Sequence, residues 1–508
     1  MLSDSGDLAI RSHAVPHPVL IVGAGPVGLT LAGELARYGV KVRIIDKAAA
    51  RSDKSKALVL WSRTLELLQR DADAGVFVAA GMKARGANII SGDRLIGHVG
   101  FGGVDSPFPF ALMLPQSETE RLLEAYLTAQ GVTVEREVEL IALDDPPDKV
   151  IATVRHQDGV EERVETPWLI GCDGAHSAVR HILRLPFEGE TLLSDWILAD
   201  IHLSGLTLPP DELGLYWHAE GVLALFPIAP GHYRIIANVG DGEGASPADP
   251  SLADVQAVVD RRGPGGLDLS VPVWLSAFRI NERKVADYRV GRVFLAGDAA
   301  HIHSPAGGQG MNTGMQDAFN LAWKLALVCR DACPAEPLLA SYSAEREVVG
   351  AKVLADAGRL TAMALLKNPT AQAARDLVGG WLLGLSPVRK AMADNLSEVS
   401  IGYPKSPLNG AAGRGLRGPE PGDRLVTPEG ETPAGAGSSP RFALFAHPGP
   451  ETDALMAGQP VLLDPRLRPP PADGGLWLVR PDGYVAVSAR VGDGDQIDSY
   501  LSALALAL

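Results

Sequence analysis

Val19-Leu-Ile-Val22-Gly23-Ala-Gly25-Pro-Val-Gly28 is the stretch that decides the fold. Its first four residues form an apolar run, as expected of a strand buried on both faces of a parallel sheet. Three glycines follow directly, Leu29 to Tyr38 reads as a helix closed by Gly39, and Val40 to Ile45 is a second strand ending in Asp46. A Gly-x-Gly-x-x-Gly set between strand and helix binds a dinucleotide. Gly23 makes the tight turn, Gly25 lets backbone approach a pyrophosphate, and Gly28 lets helix and strand pack closely. Asp46, about twenty residues on, is placed for the adenosine ribose hydroxyls. The fragment does not separate NAD from FAD.

The chain around it has 508 residues, 46% of them apolar and 21% charged, with a net charge of −15. That length suits two or three domains with a large core. The acidic balance argues against nucleic-acid or anionic-membrane partners, which require a basic footprint. Cys172, Cys329 and Cys333 show neither a paired framework nor metal-ligand spacing, so they read as core thiols of a reducing compartment. No metal site is expected. No apolar run reaches membrane-span length and residues 1–18 lack a signal-peptide pattern, so a cytoplasmic protein is expected.

Two further Gly-Asp or Asp-Gly turns follow strands. Trp168-Leu-Ile-Gly171 leads into Cys172-Asp173-Gly174, with Ser177 and Arg180 beyond. Val293-Phe-Leu-Ala-Gly297-Asp298 leads into Ser304-Pro305-Ala-Gly307-Gly308-Gln-Gly310-Met311-Asn312 and a helical pattern from about Asn312 to Arg330. Such a turn aims backbone N–H groups at whatever sits above the helix N-terminus. Between the first two turns, Arg51, Lys56 and Arg63 are candidate phosphate contacts. Ser117 with Glu120 spells a capping box, with Gln116 just outside it. Residues from about 190 to 285 form short strands that gather Trp217, Phe226, Trp274 and Phe278, a sheet with one covered face. Tyr216, His218, Phe226 and Arg234 are its candidate substrate contacts. From Leu338 to Leu396 the pattern is helical, and residues 402–440 are rich in Gly and Pro like a linker. Strands and a final helix close the chain.

With these three motifs in order, the sequence resembles the class A flavoprotein monooxygenases, the FAD-dependent aromatic hydroxylases of phenol-hydroxylase or polyketide-hydroxylase type. The resemblance implies an α/β and α+β architecture. A Rossmann-like FAD-binding domain (18–180 and 281–400, with a helical extension) is interleaved with an antiparallel substrate-binding sheet (181–280). A linker and a small thioredoxin-like domain (401–508) follow. It implies FAD contacts from Gly23, Gly25, Gly28, Asp46, Lys56, Gln116, Asp173, Gly297, Asp298, Pro305, Gly308, Gly310, Met311 and Asn312, with Arg121 beside Gln116.

Lys56 stands where many members carry Arg, so a point charge replaces a bidentate fork. Leu58 stands where the phenol-hydroxylase branch places a catalytic Asp. No catalytic acid or base is assigned, and His301 and His303 read as turn residues. The implied reaction uses NADPH or NADH and O2, and hydroxylates an aromatic molecule through a flavin C4a-hydroperoxide. An oxidase, dehydrogenase, reductase or Baeyer–Villiger enzyme on the same scaffold is the alternative. A monomer or homodimer is expected.

Overall fold

The computed structural model describes residues 11–12, 18–54, 57–70, 73–241, 248–428 and 430–505; Lys56 lies outside them. The chain opens with β1 (Val19–Val22), α1 (Pro26–Arg37) and β2 (Val42–Asp46), the unit read from the glycines. A hairpin, β3 (Gly86–Ser91) and β4 (Arg94–Gly100), precedes α2 (Gln116–Ala129). Past β5 (Trp168–Gly171) come β6 (Glu188–Ser204), β7 (Glu212–His218), β8 (Gly221–Ala229), β9 (His232–Asp241), α3 (Leu252–Arg262) and β10 (Asp268–Lys284). The chain returns through β11 (Val293–Leu295) to α4 (Gly310–Cys329), then α5 (Ala340–Ala364), α6 (Pro369–Gly384) and α7 (Ser386–Leu396).

β11, β5, β1 and β2 pair in parallel in that order. Their residues are almost wholly buried because α1 and α4 cover the sheet, as in doubly wound folds. All three Gly-containing turns therefore leave the same carboxyl edge of this sheet, where open α/β sheets bind ligands.

The second sheet has eight strands and does not stop at residues 181 and 280. It recruits β3 and β4 from inside the range expected for the cofactor domain, with β3 parallel to β7, and it runs to Lys284 and a bridge at His301–Ile302. Its two faces alternate with the strand period. Ile197, Ala199, Ile201 and Leu203 pack under Val255, Val258 and Val259 of α3. On the opposite face Trp196, Trp217, Phe226, Phe278 and Ile236 join Leu58, Val59 and Trp61.

The expected capping box of α2 does not form. Gln116 is already helical and Pro115 takes the cap position, so Ser117 lies inside the first turn. Glu120 instead accepts from Gln116 Nε2 at 2.8 Å. Among its described residues the Gly/Pro-rich stretch after 402 has no regular elements, yet it is not a free linker, because Tyr403, Leu408, Leu425 and Ala434 are buried.

Beyond it, β12 (Ala443–Phe445), α8 (Pro450–Gly458), β13 (Gly475–Val479), β14 (Val485–Arg490) and α9 (Asp495–Leu504) form a small unit. β13 pairs antiparallel with both β12 and β14, while Phe442 and Phe445 bridge in parallel to Leu463 and Arg468. Cys172, Cys329 and Cys333 are unpaired thiols, and among the described residues no helix is long and apolar enough to cross a membrane.

Candidate active site

The three turns and one face of the eight-stranded sheet enclose a cleft of about 510 Å3. At its first end Gly23 adopts φ +102°, and a Cβ there would lie 2.4 Å from the Cys172 carbonyl oxygen. A Cβ on Gly28 would stand 1.9 Å from the Gly23 carbonyl oxygen, so this glycine is needed for packing and lies behind the cleft wall. Gly25 differs, with nothing within 4 Å of where its Cβ would be. That open space lies over the N-terminus of α1, whose cap position has no side-chain hydrogen bond. Free N–H groups and the helix dipole make it an anion site. Asp46 lies beside it, accepting from Ala24 N at 2.7 Å and Ala48 N at 2.8 Å, one on each oxygen. A carboxylate oxygen has further lone pairs, so a ribose diol fits there.

The second end is built in the same way. Gln309 caps α4 without a side-chain bond, and Gly308, Gly310 and Met311 line the cleft above it. Gly307 and Gly308 take φ of +87° and +63°, which explains the glycines of this turn. Asn312 does not reach the cleft with its side chain. It zips the turn to the strap at residues 59–61, donating to Val59 O at 2.8 Å and Gly308 O at 3.0 Å, and accepting from Trp61 N at 2.8 Å.

Asp298 is exposed toward the cleft at the end of β11, whereas Gly297 is buried behind it. Gly297 N donates to Asp317 Oδ2 at 2.9 Å. Asp317 was not foreseen. It is fully buried, and it also accepts from His301 Nε2 at 2.8 Å and Arg346 Nε at 2.6 Å. Burial alone would raise its carboxyl, but Arg346 and His301 hold it below the ordinary carboxylate value. His301 is therefore a buried brace. His303 donates Nδ1–H to Ser304 O at 2.8 Å, and burial with His301 alongside pushes its imidazole down to about 4, so it stays neutral.

Asp173 lines the cleft between the two ends. Its Oδ2 accepts from Val179 N at 3.1 Å, and burial raises its carboxyl. Arg180 ties the Asp-Gly turn to the Gly-Asp turn through Ala175 O at 2.7 Å and Ala299 O at 2.9 Å. Gln116 also lines the cleft, and its Oε1 accepts from Ala57 N at 3.2 Å. The expected phosphate-binding arginines are engaged elsewhere. Arg51 pairs with Glu124, and Arg63 is buried against Glu66 and Asp482 O beneath the Tyr484 ring. Arg121 is exposed and paired with Glu118, outside the cleft.

On the sheet side, Phe226, Arg234 and Ile236 line the cleft with Leu58, Val59 and Ile302. Arg234 is held by a bidentate pair to Asp200, with both contacts at 2.7 Å. Tyr216 does not belong there. Its register partner is Leu223, and it points into the core under α3, where burial pushes its phenol up to about 12. His218 ends β7, and its Nδ1 accepts from Glu220 N in the turn that follows at 3.2 Å.

Two uncapped helix N-termini on one cleft, with the Asp46 carboxylate at one and the exposed Asp298 beside the other, fit an elongated dinucleotide. The sequence profile of the FAD binding domain family matches residues 17–357. The chain belongs to the class A flavoprotein monooxygenases. It is 36% identical to 6-methylpretetramide 4-monooxygenase of Streptomyces rimosus, over 96% of this chain and 93% of that protein. It is 34% identical to a rifampicin monooxygenase of Streptomyces venezuelae, over 78% of this chain and 82% of that one. Among solved structures, the OxyS anhydrotetracycline hydroxylase from Streptomyces rimosus superposes with a TM-score of 0.78 at 30% identity, covering 96% of this chain and 99% of that one. Like other flavoprotein monooxygenases of this class, the protein uses FAD, with NAD(P)H and O2, on aromatic substrates.

Proposed function

We propose that this monooxygenase hydroxylates a polycyclic, polyketide-type aromatic, held between the Gly307–Asn312 turn and the eight-stranded sheet. The observation that carries this reading is the continuity of the cleft from the two helix N-termini onto an apolar sheet face. Relatives named for tetracycline precursors and rifampicin act on large fused or macrocyclic molecules, in keeping with such a face.

Gly23, Gly25 and Asp46 would hold the adenosine and pyrophosphate portion of FAD. Asp173 and Asp298 would hold the chain between its two ends, and the backbone of Pro305 and Gly308 to Asn312 would lie along the ring. Bound FAD supplies oxygen transfer to an electron-rich carbon. The N-terminus of α4 would stabilise negative charge on the pyrimidine edge, since its N–H groups are fixed in place and partly shielded from water. Pro305, with no N–H and a fixed φ, keeps the turn against the ring. Leu58, Val59 and Ile302 keep water from the reacting carbon. With Leu58 in place of a carboxylate, the substrate would bring its own acidity or be activated by the flavin environment alone.

The small C-terminal unit supports a thioredoxin-like reading. Its strand order places residues 463–468 beside β12, then β13, then β14, with helices between and after them, and it lacks a Cys-x-x-Cys.

The test offers the FAD-loaded protein anhydrotetracycline and, separately, phenol. Stimulated NAD(P)H oxidation with a product one oxygen heavier is expected from the polycyclic compound. Stimulation by phenol alone would remove the polyketide reading and leave a small-phenol hydroxylase.

A further inference from the structure

The end of α7 and the residues just past it grip the first turns of α4 at three points. Gln309, at the cap of α4, donates Nε2 to Asn395 O at 2.8 Å. Thr313 Oγ1 and Gln316 Nε2 each meet one oxygen of Glu398, at 2.7 and 2.6 Å. Glu398 is 1% exposed, and both of its partners are neutral.

The charged groups around it are committed to one another. α4 presents Asp317, and α5 presents Arg346, which is held by Asp317 Oδ1, the Tyr403 hydroxyl and Thr313 O. Arg63 donates its backbone N–H to Ser397 O at 3.2 Å but turns its guanidinium to Glu66 and Asp482 O. A carboxyl buried against a hydroxyl and an amide, with a carboxylate nearby, keeps its proton. A hydroxyl accepts as well as donates, so the acid is satisfied in this form, its O–H on Thr313 and its other oxygen taking the Gln316 N–H. Burial pushes this carboxyl up to about 7.

Its place along α4 gives that proton a use. At 1.5 Å of rise per residue, Thr313 and Gln316 lie roughly 5 and 9 Å along the axis from Gly310. A charge on Glu398 would sit beneath the N–H groups that open the helix and offset their positive potential.

We propose that Glu398 is a positioning residue for flavin reduction: as a neutral acid it pins α4 while leaving the positive end of that helix to the flavin ring. The inference rests on the ring lying along the Gly307–Asn312 turn, as set out above. Hydride transfer from NAD(P)H leaves one negative charge on the ring, which the α4 N-terminus offsets. An ionised Glu398 opposes that charge through the protein interior, where screening is weak. Reduction is therefore favoured while Glu398 holds its proton and disfavoured once pH rises through about 7. Gln in its place keeps both bonds, Nε2 donating to Thr313 and Oε1 accepting from Gln316, but cannot ionise.

Redox titration of the FAD-loaded full chain tests this. Between pH 5 and pH 8, the preference of the wild type for reduced over oxidised FAD should fall by on the order of tenfold more than that of Glu398→Gln. The two proteins should agree at pH 5. Met311→Lys sets a cation in the cleft on the first turn of α4 and should raise the same preference at both pH values. Equal slopes in wild type and Glu398→Gln, with the Met311→Lys shift present, overturn the role of Glu398 and leave the ring where it was placed. If the Met311→Lys shift is missing as well, the ring does not lie over α4, and the proposal falls with that reading. A merely structural Glu398 would alter flavin content or melting without separating the two slopes.

Discussion

The cofactor end of the cleft is made of backbone, whereas the sheet end is made of side chains. Gly23 and Gly28 shape a tight turn, Gly25 leaves open space over the N-terminus of α1, and Gly310 opens α4, while Phe226, Ile236 and Leu58 contribute bulk. Gly23 and Gly28 tolerate almost no substitution, because added atoms fall on other backbone atoms. A side-chain site changes gradually with volume. The two ends should therefore respond to mutation on different scales.

The largest effect is expected at the backbone end. Gly28→Val would set a Cβ against the Gly23 carbonyl oxygen, where 1.9 Å is available. The purified variant should retain no flavin absorbance. Wild-type flavin content in that variant would contradict the backbone account.

Next comes the buried support of the Gly-Asp turn. Asp317→Ala leaves the Arg346 guanidinium and the Gly297 N–H without their partner. Removing one member of a buried ion pair costs ~3–5 kcal/mol, which chemical denaturation would read directly. Asp298→Ala, at the exposed end of the same turn, should act mainly on flavin occupancy. If the two variants behaved alike, the division between support and contact would be wrong.

Glu398 tests the same support by pH. It is buried under the first turns of α4, accepting from Thr313 Oγ1 at 2.7 Å and Gln316 Nε2 at 2.6 Å. Burial pushes its carboxyl up to about 7, offset in part by the Thr313 bond and by Arg346, while Asp317 adds to the rise. An unfolded Glu loses its proton near ~4.3, so the folded state binds the extra proton between there and about 7. Stability should fall as pH rises through that window and level off above it. Glu398→Gln should flatten this slope, worth on the order of 2–3 kcal/mol, when both proteins are denatured at pH 5 and pH 8. Identical slopes would refute the buried-proton assignment.

At the side-chain end the expected effects are smaller. Phe226→Ala should raise the KM for the aromatic substrate on the order of tenfold, given ~1.5–3 kcal/mol for a fully buried side chain and only partial burial here. The FAD dissociation constant should be unchanged. A change in FAD affinity instead would place Phe226 on the cofactor.

The same contrast explains what the sequence made legible. The fingerprint needs only residues 19 to 46 in order, and each glycine has a local reason. Sheet register is not local. Tyr216 and Phe226 both read as candidate substrate contacts, but pairing with Leu223 turns the first into the core and pairing with Arg234 turns the second to the cleft. Long-range ion pairs are less legible still. Arg346 meets Asp317, and Arg480 meets Glu345 from 135 positions away, so both join α4 and α5 to one another or to the C-terminal unit. The one local sign was an acid on the buried side of an apolar helix, as at Asp317. Ser117 and Glu120 spelled a capping box, yet the strap at Ala57 recruits Gln116 into the helix and leaves Pro115 at the cap.

Arg121 gives the finest test, because there the family resemblance and the geometry disagree. The resemblance places it with Gln116 near the flavin. In the structure it points away, with its side chain about half exposed and a 2.5 Å contact to Glu118 one helical turn back. A surface pair of this kind contributes ~0–1 kcal/mol and is screened by salt. Arg121→Ala should therefore leave FAD affinity within about twofold, and Gln116→Ala should weaken it more, since Gln116 lines the cleft and holds the strap through Ala57. Equal losses from the two variants would mean that α2 rotates when the cofactor binds, bringing Arg121 onto the site and extending the backbone-built end by a side-chain charge.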